Sequence, residues 1–531
     1  MKSLPLHAAL AALVFATSTS LSARPLVVCT EASPEGFDMV QYTTAVTADA
    51  AAETLFNRLV DFKPGTTEVQ PALAERWEIS DDGLTYTFHL RRGVKFHTTE
   101  WFTPSREFNA DDVLWSFRRQ LDPQHPWHDK TAIGFPYFES MGFRQLLKSV
   151  DKTDEHTVVF TLSQPQAPFL RDLAMAFTSI YSAEYGDQLL AAGRTGDLNS
   201  KPVGTGPFIF QRYVKDAQIR YKANPDYFRG APPSESLVFA IASDNNVRLQ
   251  KLRANECQIA LYPKPDDVPA IKRDPMLKVA ELEALIIGYI AFNTEHPLLN
   301  DVRVRKAIDI AFDRKTHVDQ LFGKDNALLA VNPYPPTMIG YNHDNRNPPR
   351  DLAKARALLK DAGVAQGTVL TLFTRNGGGM TNPNPRLSAE MLQADLAKIG
   401  LKVDIRVMEW AEMLRRAKNG EHDMVSTGWA GDNGDPDNFL TPLLSCEAVK
   451  NGENYARWCN EKFDALVTQA RRVIAPQQRE ALYNEALAVY DADRPWITMA
   501  HPKMFTAMRR NVEGYIISPL TNNNFATTSV K

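Results

Sequence analysis

The residues of this sequence whose types and spacing could do chemistry stand together in one acidic stretch, residues 428–439. Three aspartates, Asp432, Asp435 and Asp437, alternate there with glycine, asparagine and proline, directly after a short apolar run. These residue types each favour tight turns, so the stretch is predicted to be a loop that leaves a buried strand. Such a loop brings its carboxylates close to whatever it faces, which makes them candidates to bind a cation. A solvated acidic turn is the competing interpretation.

Signatures of catalysis are absent from the sequence. It contains no Gly-x-Ser-x-Gly nucleophile elbow, no His-Glu-x-x-His zinc motif, no Walker phosphate loop and no dinucleotide fingerprint. His125 and His128 lie close together without a carboxylate partner, and the aspartates do not follow the Asp-x-Asn-x-Asp-Gly spacing of calcium loops. These patterns favour a binding protein over an enzyme or a metalloprotein.

Length, charge and the first residues indicate an exported globular protein. The 531 residues are enough for two or three folding units, and 44% apolar with 23% charged residues is ordinary for a globular chain. A formal charge of −3 argues against nucleic acid or an anionic membrane surface as a partner. Residues 1–23 have the layout of a secretory signal peptide, with Lys2, an apolar run too short to span a bilayer, and a small-residue cleavage site ending at Ala23. The mature protein is therefore expected outside the cytoplasm.

Four cysteines in an exported chain indicate two disulfides. Cys446 and Cys459 close a short loop, which in the chain-entropy model contributes roughly 3 kcal/mol to stability. Cys29 is then left to pair with Cys257. A zinc site is the alternative, but no CxxC pair and no histidine at metal-ligand spacing supports it.

A hydroxyl-rich segment in the first part of the chain is a second candidate for ligand binding. It consists of Thr43, Thr44, Ala45 and Val46, which can present side-chain and backbone hydrogen-bonding groups. An ordinary loop that caps a helix starting near Asp49 explains the same residues, and the spacing alone does not separate the two interpretations.

The second half of the sequence predicts the α/β elements that position the acidic stretch. Residues 285–293 form a continuous apolar run, as expected of a strand buried on both faces. A βαβ unit follows, with strands at residues 369–373 and 401–407 and a helix between them. Ligands of α/β folds lie outside the carboxyl ends of the strands. The glycine-rich loop that begins at Arg375 and the Asp432 loop are therefore predicted to face the same crevice.

Five segments carry a resemblance to a known family. They are residues 73–96 (LAERWEISDDGLTYTFHLRRGVKF), 108–113 (FNADDV), 202–208 (PVGTGPF), 288–293 (GYIAFN) and 428–439. Along essentially the whole mature chain the sequence resembles the periplasmic dipeptide- and oligopeptide-binding proteins of ABC importers, and most closely their dipeptide-binding branch. A related branch, linked to antimicrobial-peptide resistance, shares WFTP at residues 101–104.

The resemblance implies a two-lobed periplasmic binding protein of the venus-flytrap type (class II, cluster C), with an extra subdomain in the first lobe. The first lobe is expected at residues 24–283 plus 503–531 and the second at 284–502. The family's disulfides map onto the two cysteine pairs already inferred. A protein of this kind is a periplasmic monomer that captures a small peptide and delivers it to an inner-membrane ABC permease. Neither a cofactor nor a metal ion is implied, nor any stable insertion in the membrane.

The family's ligand-binding positions fall on identifiable residues. Its acidic anchor for the peptide α-ammonium corresponds to Asp432, and a carboxylate buried by lobe closure holds an ammonium through charge-assisted hydrogen bonds. Backbone-like contacts to the peptide are expected from the hydroxyl-rich segment and from around Trp429 and Gly431. Trp410 is expected to line a pocket.

One position departs from the family's pattern. Dipeptide binders clasp the ligand's carboxylate with an arginine in the loop before residues 382–384, and here that position is Gly379. The carboxylate is then met by Arg375, by backbone N–H groups of residues 377–379, or not at that place at all. The departure predicts a protein other than a standard dipeptide binder, and leaves longer peptides, glutathione-like peptides, antimicrobial peptides and haem as ligands. A periplasmic peptidase and a chaperone for unfolded chains are the rival classes.

Overall fold

The computed structural model describes residues 25–531, so the predicted signal peptide at residues 1–23 lies outside the described residues. Strands and helices alternate in a mixed α/β fold. The strands of the described residues are β1 Leu26–Thr30, β2 Val60–Phe62, β3 Val69–Pro71, β4 Ala74–Ile79, β5 Thr85–Leu90, β6 Leu147–Asp154, β7 Thr157–Leu162, β8 Phe208–Val214, β9 Gln218–Ala223, β10 Ser236–Ile241, β11 Ile259–Leu261, β12 Leu277–Glu283, β13 Ile286–Phe292, β14 Ala327–Leu329, β15 Val369–Arg375, β16 Lys402–Met408, β17 Met424–Ala430, β18 Trp496–Arg509, β19 Val512–Glu513 and β20 Ser529–Val530.

The helices are spread over the whole described chain. They are α1 Ala45–Ala50, α2 Ala110–Leu121, α3 Pro136–Ser140, α4 Phe143–Leu146, α5 Phe169–Asp172, α6 Ala183–Ala191, α7 Asp197–Ser200, α8 Asn245–Arg253, α9 Val268–Arg273, α10 Val302–Ala311, α11 Arg314–Phe322, α12 Leu352–Asp361, α13 Pro385–Ala397, α14 Trp410–Lys418, α15 Asp437–Leu444, α16 Ala448–Asn451, α17 Glu461–Arg472 and α18 Pro476–Asp493. None of them is long and apolar enough to cross a membrane.

One sheet of twelve strands organises the molecule, in the order β16-β15-β17-β13-β18-β11-β1-β10-β9-β8, with β12 and β14 also paired to β18. The long strand β18 joins its two sides. Residues 496–502 of β18 pair with β13 and β14, whereas residues 503–509 pair with β11 and β12. We call β1 and β8–β12 the β1 group, and β13–β17 the β13 group. A separate sheet of four strands, β4-β5-β7-β6, lies outside both groups.

The β13 group confirms the predicted α/β pattern. All seven residues of β13 are buried, and this strand is antiparallel to both of its neighbours, β17 and β18. By contrast, β15 runs parallel to β16 and to β17. The carboxyl ends of β15 and β17 therefore lie at the same edge of the sheet, and the loops after them carry the candidate site residues.

The helices of this group cover the sheet with a core of their own. Val304, Ala307, Ile308 and Ala311 on α10 are fully buried, as their helical spacing predicts, and pack with apolar residues of α11, α12 and α13. Full burial of a valine or isoleucine side chain such as Val304 or Ile308 contributes roughly 1.5–3 kcal/mol. This core makes the β13 group a rigid base for the loops at its edge.

Both predicted disulfides are confirmed. Cys29 on β1 is bonded to Cys257, immediately before β11, and Cys446 is bonded to Cys459 across 13 positions of sequence. The first bridge reinforces the β1 group, and the second lies between α15 and α17, close to the acidic stretch. No cysteine of the described residues is free.

Candidate functional site

Asp432 lies in the turn between β17 and α15, where its side chain lines an internal cavity. The Tyr137 hydroxyl donates a hydrogen bond of 2.6 Å to Asp432 Oδ2, and the Asp432 backbone N–H donates to Asn438 Oδ1 at 2.8 Å. Burial raises the pKa of Asp432 to about 7, and hydrogen bonds from Tyr137 and Asn438 only partly oppose this. No basic side chain of the described residues offsets the burial, so the site holds a carboxylate without a cation.

The other two aspartates of the stretch are already neutralised by arginines. Asp435 Oδ1 lies 2.9 Å from Arg479 Nη2, and Asp437 Oδ2 lies 3.3 Å from Arg471 Nε. Both arginines come from helices α17 and α18, farther along the chain. Within the described residues, no group of three or more acidic, histidine or cysteine side chains is placed to hold a metal ion. Asp432 is therefore the acid of the stretch that is open to a ligand.

Most of the hydroxyl-rich segment lines the same cavity as Asp432. The cavity is lined by Thr43, Thr44 and Ala45 together with Tyr137 and Asp432. Val46, one residue farther along, is not among the lining residues. The cavity is therefore lined both by the segment that follows β1 and by the Asp432 loop, which follows β17 of the β13 group.

The helix after this segment begins earlier than predicted. It starts at Ala45 and not near Asp49, because Thr44 acts as its N-cap and accepts a hydrogen bond from the Thr47 N–H at 3.4 Å. The Thr44 hydroxyl in turn donates to Glu35 Oε2 at 2.6 Å. Ala45 and Val46 therefore belong to a helical turn and not to a loop, and Thr43 is the exposed residue before the cap.

Arg375 is the last residue of β15 and not part of the loop after it. Its guanidinium carbon lies 4.8 Å from the centre of the Trp410 ring, at the start of α14. Burial lowers the pKa of Arg375, while the carboxylates of Glu409 and Glu31 act in the opposite direction. Its Nε is buried without a hydrogen-bond partner among the described residues. The Arg375 guanidinium therefore lies against the Trp410 ring, lacks a hydrogen-bond partner at Nε, and is attracted by the carboxylate of Glu31, which follows β1.

Gly379 leaves the space that this guanidinium fills. A Cβ built on Gly379 would lie 2.9 Å from Arg375 Nη1, closer than real Cβ atoms approach other atoms. The backbone of Gly379 is held by paired hydrogen bonds with Asn382, at 2.9 and 3.2 Å. The glycine at position 379 therefore makes room for the Arg375 guanidinium in its present position.

Trp429, near the end of β17, and Gly431, just after this strand, precede Asp432 in the sequence. Trp429 is partly exposed on β17, and its indole N–H lies 3.4 Å from Asn438 Oδ1, the atom that also holds the Asp432 backbone. Gly431 is buried, and its N–H donates to the Leu285 carbonyl at 2.6 Å. Gly431 shapes the turn, and neither Trp429 nor Gly431 is among the residues that line the cavity.

Tyr137 is the contact that sequence reasoning missed. It lies on the short helix α3, is separated from Asp432 by 295 positions of sequence, and is buried. No spacing or motif around residues 135–140 signals a ligand contact, since the surrounding aromatic residues read equally well as core. Only the fold brings this hydroxyl to the acid.

A family model of the bacterial extracellular solute-binding proteins, family 5, matches residues 68–451. The chain belongs to this family. It is 60% identical over 531 residues to di/tripeptide-binding protein 4 of Pseudomonas aeruginosa, a match that covers 100% of this chain and 99% of the relative. It is 44% identical to heme-binding protein A of Haemophilus influenzae, covering 96% of this chain and 93% of that protein.

Solved structures of family 5 proteins have the same fold. The dipeptide-binding protein of Pseudoalteromonas sp. SM9913, in complex with Met-Leu, superposes with a TM-score of 0.91 at 36% identity. The match covers 96% of this chain and 100% of that chain. The predicted fold class, a two-lobed solute-binding protein with a mixed α/β architecture, is therefore confirmed.

Proposed function

We propose that this protein is an extracytoplasmic receptor that captures di- and tripeptides, or closely related small peptides, between two lobes and passes them to an ABC permease of the inner membrane. It acts in the periplasm as a monomer and performs no chemistry on its ligand. The names of the relatives and the Met-Leu complex of a family member support this class of ligand.

The observation that carries the proposal is the unpaired carboxylate of Asp432. A buried acid without a cation is costly, and a protein retains one where a ligand supplies the missing charge. The α-ammonium of a peptide has the size, charge and three N–H donors that this site requires. The Tyr137 hydroxyl, which donates to the acid, supports the same carboxylate from the other side of the cavity's lining.

Two lobes follow from the pairing of β18. We assign residues 24–283 plus 503–531 to the first lobe and 284–502 to the second. Two facts support these boundaries: β18 changes partners between residues 502 and 503, and β12 leads directly into β13 after Glu283. The chain crosses between lobes at these two adjacent places, which act as the hinge.

Replacing Asp432 tests the amine anchor. Asp432→Asn keeps the size of the side chain but removes its charge, and truncating one partner of a buried charged pair costs about 2–5 kcal/mol. The affinity for Met-Leu, measured by titration calorimetry, is therefore expected to fall by roughly 30-fold or more. Asp404→Asn, on the edge strand β16, is the matched control and should leave the affinity unchanged. Unchanged affinity in Asp432→Asn removes the proposed anchor.

Arg375 is proposed to take the carboxylate end of the peptide in place of the family's arginine. Its unpartnered Nε and its contact with the Trp410 ring leave a preoriented cation at the end of β15, on the same edge of the sheet as the Asp432 loop. Arg375→Gln should weaken binding of Met-Leu and leave binding of the Met-Leu C-terminal amide nearly unchanged. Arg406→Gln, on the same side of the molecule, is the control. Equal losses of affinity for Met-Leu and for its C-terminal amide would assign Arg375 a packing role only.

A second candidate ligand is haem, which the name of the Haemophilus influenzae relative favours. Titration with haem, followed in its visible absorption band, separates it from peptides, and a competition experiment with Met-Leu shows whether both use one cleft. Recovery of intact Met-Leu after prolonged incubation would in turn separate a receptor from a peptidase. Glutathione serves as the third ligand in the same competition.

A further inference from the structure

A second set of contacts joins the lobes immediately beyond Asp432. Arg171, on the short helix α5 of the first lobe, donates from Nη1 to the backbone carbonyls of Asn433 and Gly434, at 3.4 Å each. The next residue, Asp172, accepts a hydrogen bond of 2.7 Å from Asn433 Nδ2. Two neighbouring side chains of the first lobe thus hold the two residues that follow the amine anchor in the second lobe.

The shape of the loop requires this close approach. Gly434 has a φ of +72°, and a Cβ at this position would lie 2.6 Å from Thr67 Cβ in the first lobe. The Arg171 guanidinium is held in its own lobe by a 3.0 Å hydrogen bond to the Thr67 carbonyl. The Asp432 loop therefore seats against a preformed surface made by Thr67, Arg171 and Asp172.

Asp172 is an acid in this interface that is not paired with an arginine of the described residues. Its side chain is fully buried, and Oδ2 has no hydrogen-bond partner among the described residues. The ionisable groups that act on it from the surrounding elements are Tyr86 on β5, Asp435 in the Asp432 loop, Asp437 on α15 and Arg471 on α17, and its neighbour in sequence is Arg171. Arg471 is already paired with Asp437, Asp435 is paired with Arg479, and Arg171 donates to backbone carbonyls.

The geometry points to a latch: we propose that Arg171 and Asp172 dock on the Asp432 loop when the cleft closes, and that closing takes up one proton on Asp172. The proposal rests on the two-lobed peptide receptor proposed above, because it needs lobes that separate. In the open form the same carboxylate faces water and both neighbouring acids move away with the second lobe.

The direction of the pH effect follows from the two environments. Burial and the nearby carboxylates of Asp437 and Asp435 raise the pKa of Asp172 to about 8 in the closed form. In water the pKa of an aspartate is about 3.9. Because the closed form binds the proton more tightly, closure is favoured as the pH falls from 8 towards 4, by at most about tenfold per pH unit. Above pH 8 the ionised carboxylate opposes closure fully.

The test compares the mature protein with its Asp172→Asn variant. An asparagine cannot ionise, yet its amide oxygen still accepts the hydrogen bond from Asn433. The dissociation constant for Met-Leu is measured at pH 5, 6, 7 and 8 in both proteins, so that the titrations of Asp432 and of the peptide cancel in the ratio. The ratio of wild type to variant is expected to rise steadily with pH. A ratio that stays constant from pH 5 to 8 overturns the proton-linked latch.

A ligand-free readout separates the failure of this proposal from failure of the proposed function. Small-angle scattering of wild type without peptide should show a smaller radius of gyration at pH 5 than at pH 8, whereas Asp172→Asn should show a clearly smaller change, the remainder coming from Asp432. Equal behaviour of the two proteins overturns the latch even if Met-Leu proves not to bind. Arg171→Gln, which removes the docking donor but not the acid, should weaken Met-Leu binding about equally at every pH. A pH-dependent loss in Arg171→Gln would contradict the division of roles.

Discussion

At the scale of single residues, the candidate site depends on which of its three aspartates has no arginine partner. Asp432, Asp435 and Asp437 are equivalent in the sequence, yet Arg479 and Arg471 take the last two, and Asp432 receives only the hydroxyl of Tyr137 and the amide group of Asn438. Burial raises the pKa of Asp432 to about 7, so in this arrangement the acid resists ionisation.

This burial predicts a gain in stability when the charge is removed. The pKa of Asp432 is raised where its loop is buried, so the closed arrangement is favoured fully below about pH 4 and loses that advantage as the pH rises through 7. Asp432→Asn cannot ionise, and its closed arrangement is expected to be more stable than that of wild type at pH 8, with the difference vanishing near pH 4. Small-angle scattering of both proteins without peptide at pH 4 and 8 measures this, because the variant should have the smaller radius of gyration at pH 8. A radius for the variant equal to or larger than that of wild type at pH 8 would contradict it, and Asp404→Asn is again the control.

At the scale of elements, the loop after β15 decides how the second end of a peptide is met. Arg375 ends the strand, Trp410 begins the helix beside it, and Gly379 leaves room for the guanidinium because it has no side chain. The guanidinium of Arg375, four positions earlier, thus fills the space beside Gly379, the position at which the family's arginine is expected. The side chains at positions 375, 379 and 410 are interdependent, because the size of each one limits the space available to the others.

A small side chain at 379 should disturb this unit selectively. The added Cβ of Gly379→Ala would displace the Arg375 guanidinium, and a weakened charged hydrogen bond of about 1 kcal/mol corresponds to roughly fivefold lower affinity. The loss is expected for Met-Leu and not for its C-terminal amide. Gly196→Ala, where a Cβ meets nothing within 4 Å, is the matched control. Equal affinities of Gly379→Ala and wild type for Met-Leu would show that the guanidinium does not need its present position.

The Cys446–Cys459 bridge is the second elemental feature with a measurable consequence. It closes a short loop after α15, the helix that carries Asn438 and with it the backbone of Asp432. Replacing both cysteines by alanine is expected to lower the free energy of unfolding by about 3 kcal/mol, through the added entropy of the unfolded chain. Urea denaturation of the variant and the oxidised wild type measures the difference. A change well below 1 kcal/mol would mean that the bridge serves another purpose than stability.

At the scale of the whole molecule, the two lobes touch through the ligand site itself. Tyr137 and Arg171 of the first lobe both reach the Asp432 loop of the second, while β18 and the β12–β13 connection keep the lobes joined on the far side. Opening of the cleft must therefore break the contacts around Asp432. The proposed amine anchor and the closure of the lobes are expected to be coupled for this reason.

Small-angle scattering should detect that coupling. A compact chain of this length has a radius of gyration of roughly 23 Å. The ligand-free protein at pH 8 is expected above this value and should approach it when Met-Leu is added. N-acetyl-Met-Leu, which lacks the ammonium, should leave the radius unchanged at the same concentration. Compaction by the acetylated peptide equal to that by Met-Leu would separate closure from amine recognition.

The sequence by itself determined the α/β class, the buried strand β13, the βαβ unit and the turn that carries Asp432, because each depends on local periodicity or turn chemistry. It also indicated both disulfides, and its resemblance to the peptide-binding family is confirmed at the level of fold and membership. The start of α1 was misplaced by four residues, since the side chain of Thr44 caps the helix earlier than the apolar pattern suggests.

Only the tertiary structure decided which charges remain available. Tyr137, Arg171 and Asp172 carry no local signature, and they reach the Asp432 loop across more than 250 positions of sequence. Whether an acid is neutralised, hydrogen-bonded or left for a ligand depends on partners brought together by the fold, and the free energy of a buried charge depends on that whole surrounding. Periodicity in the chain specifies elements, whereas the distances between distant side chains arise only when those elements pack.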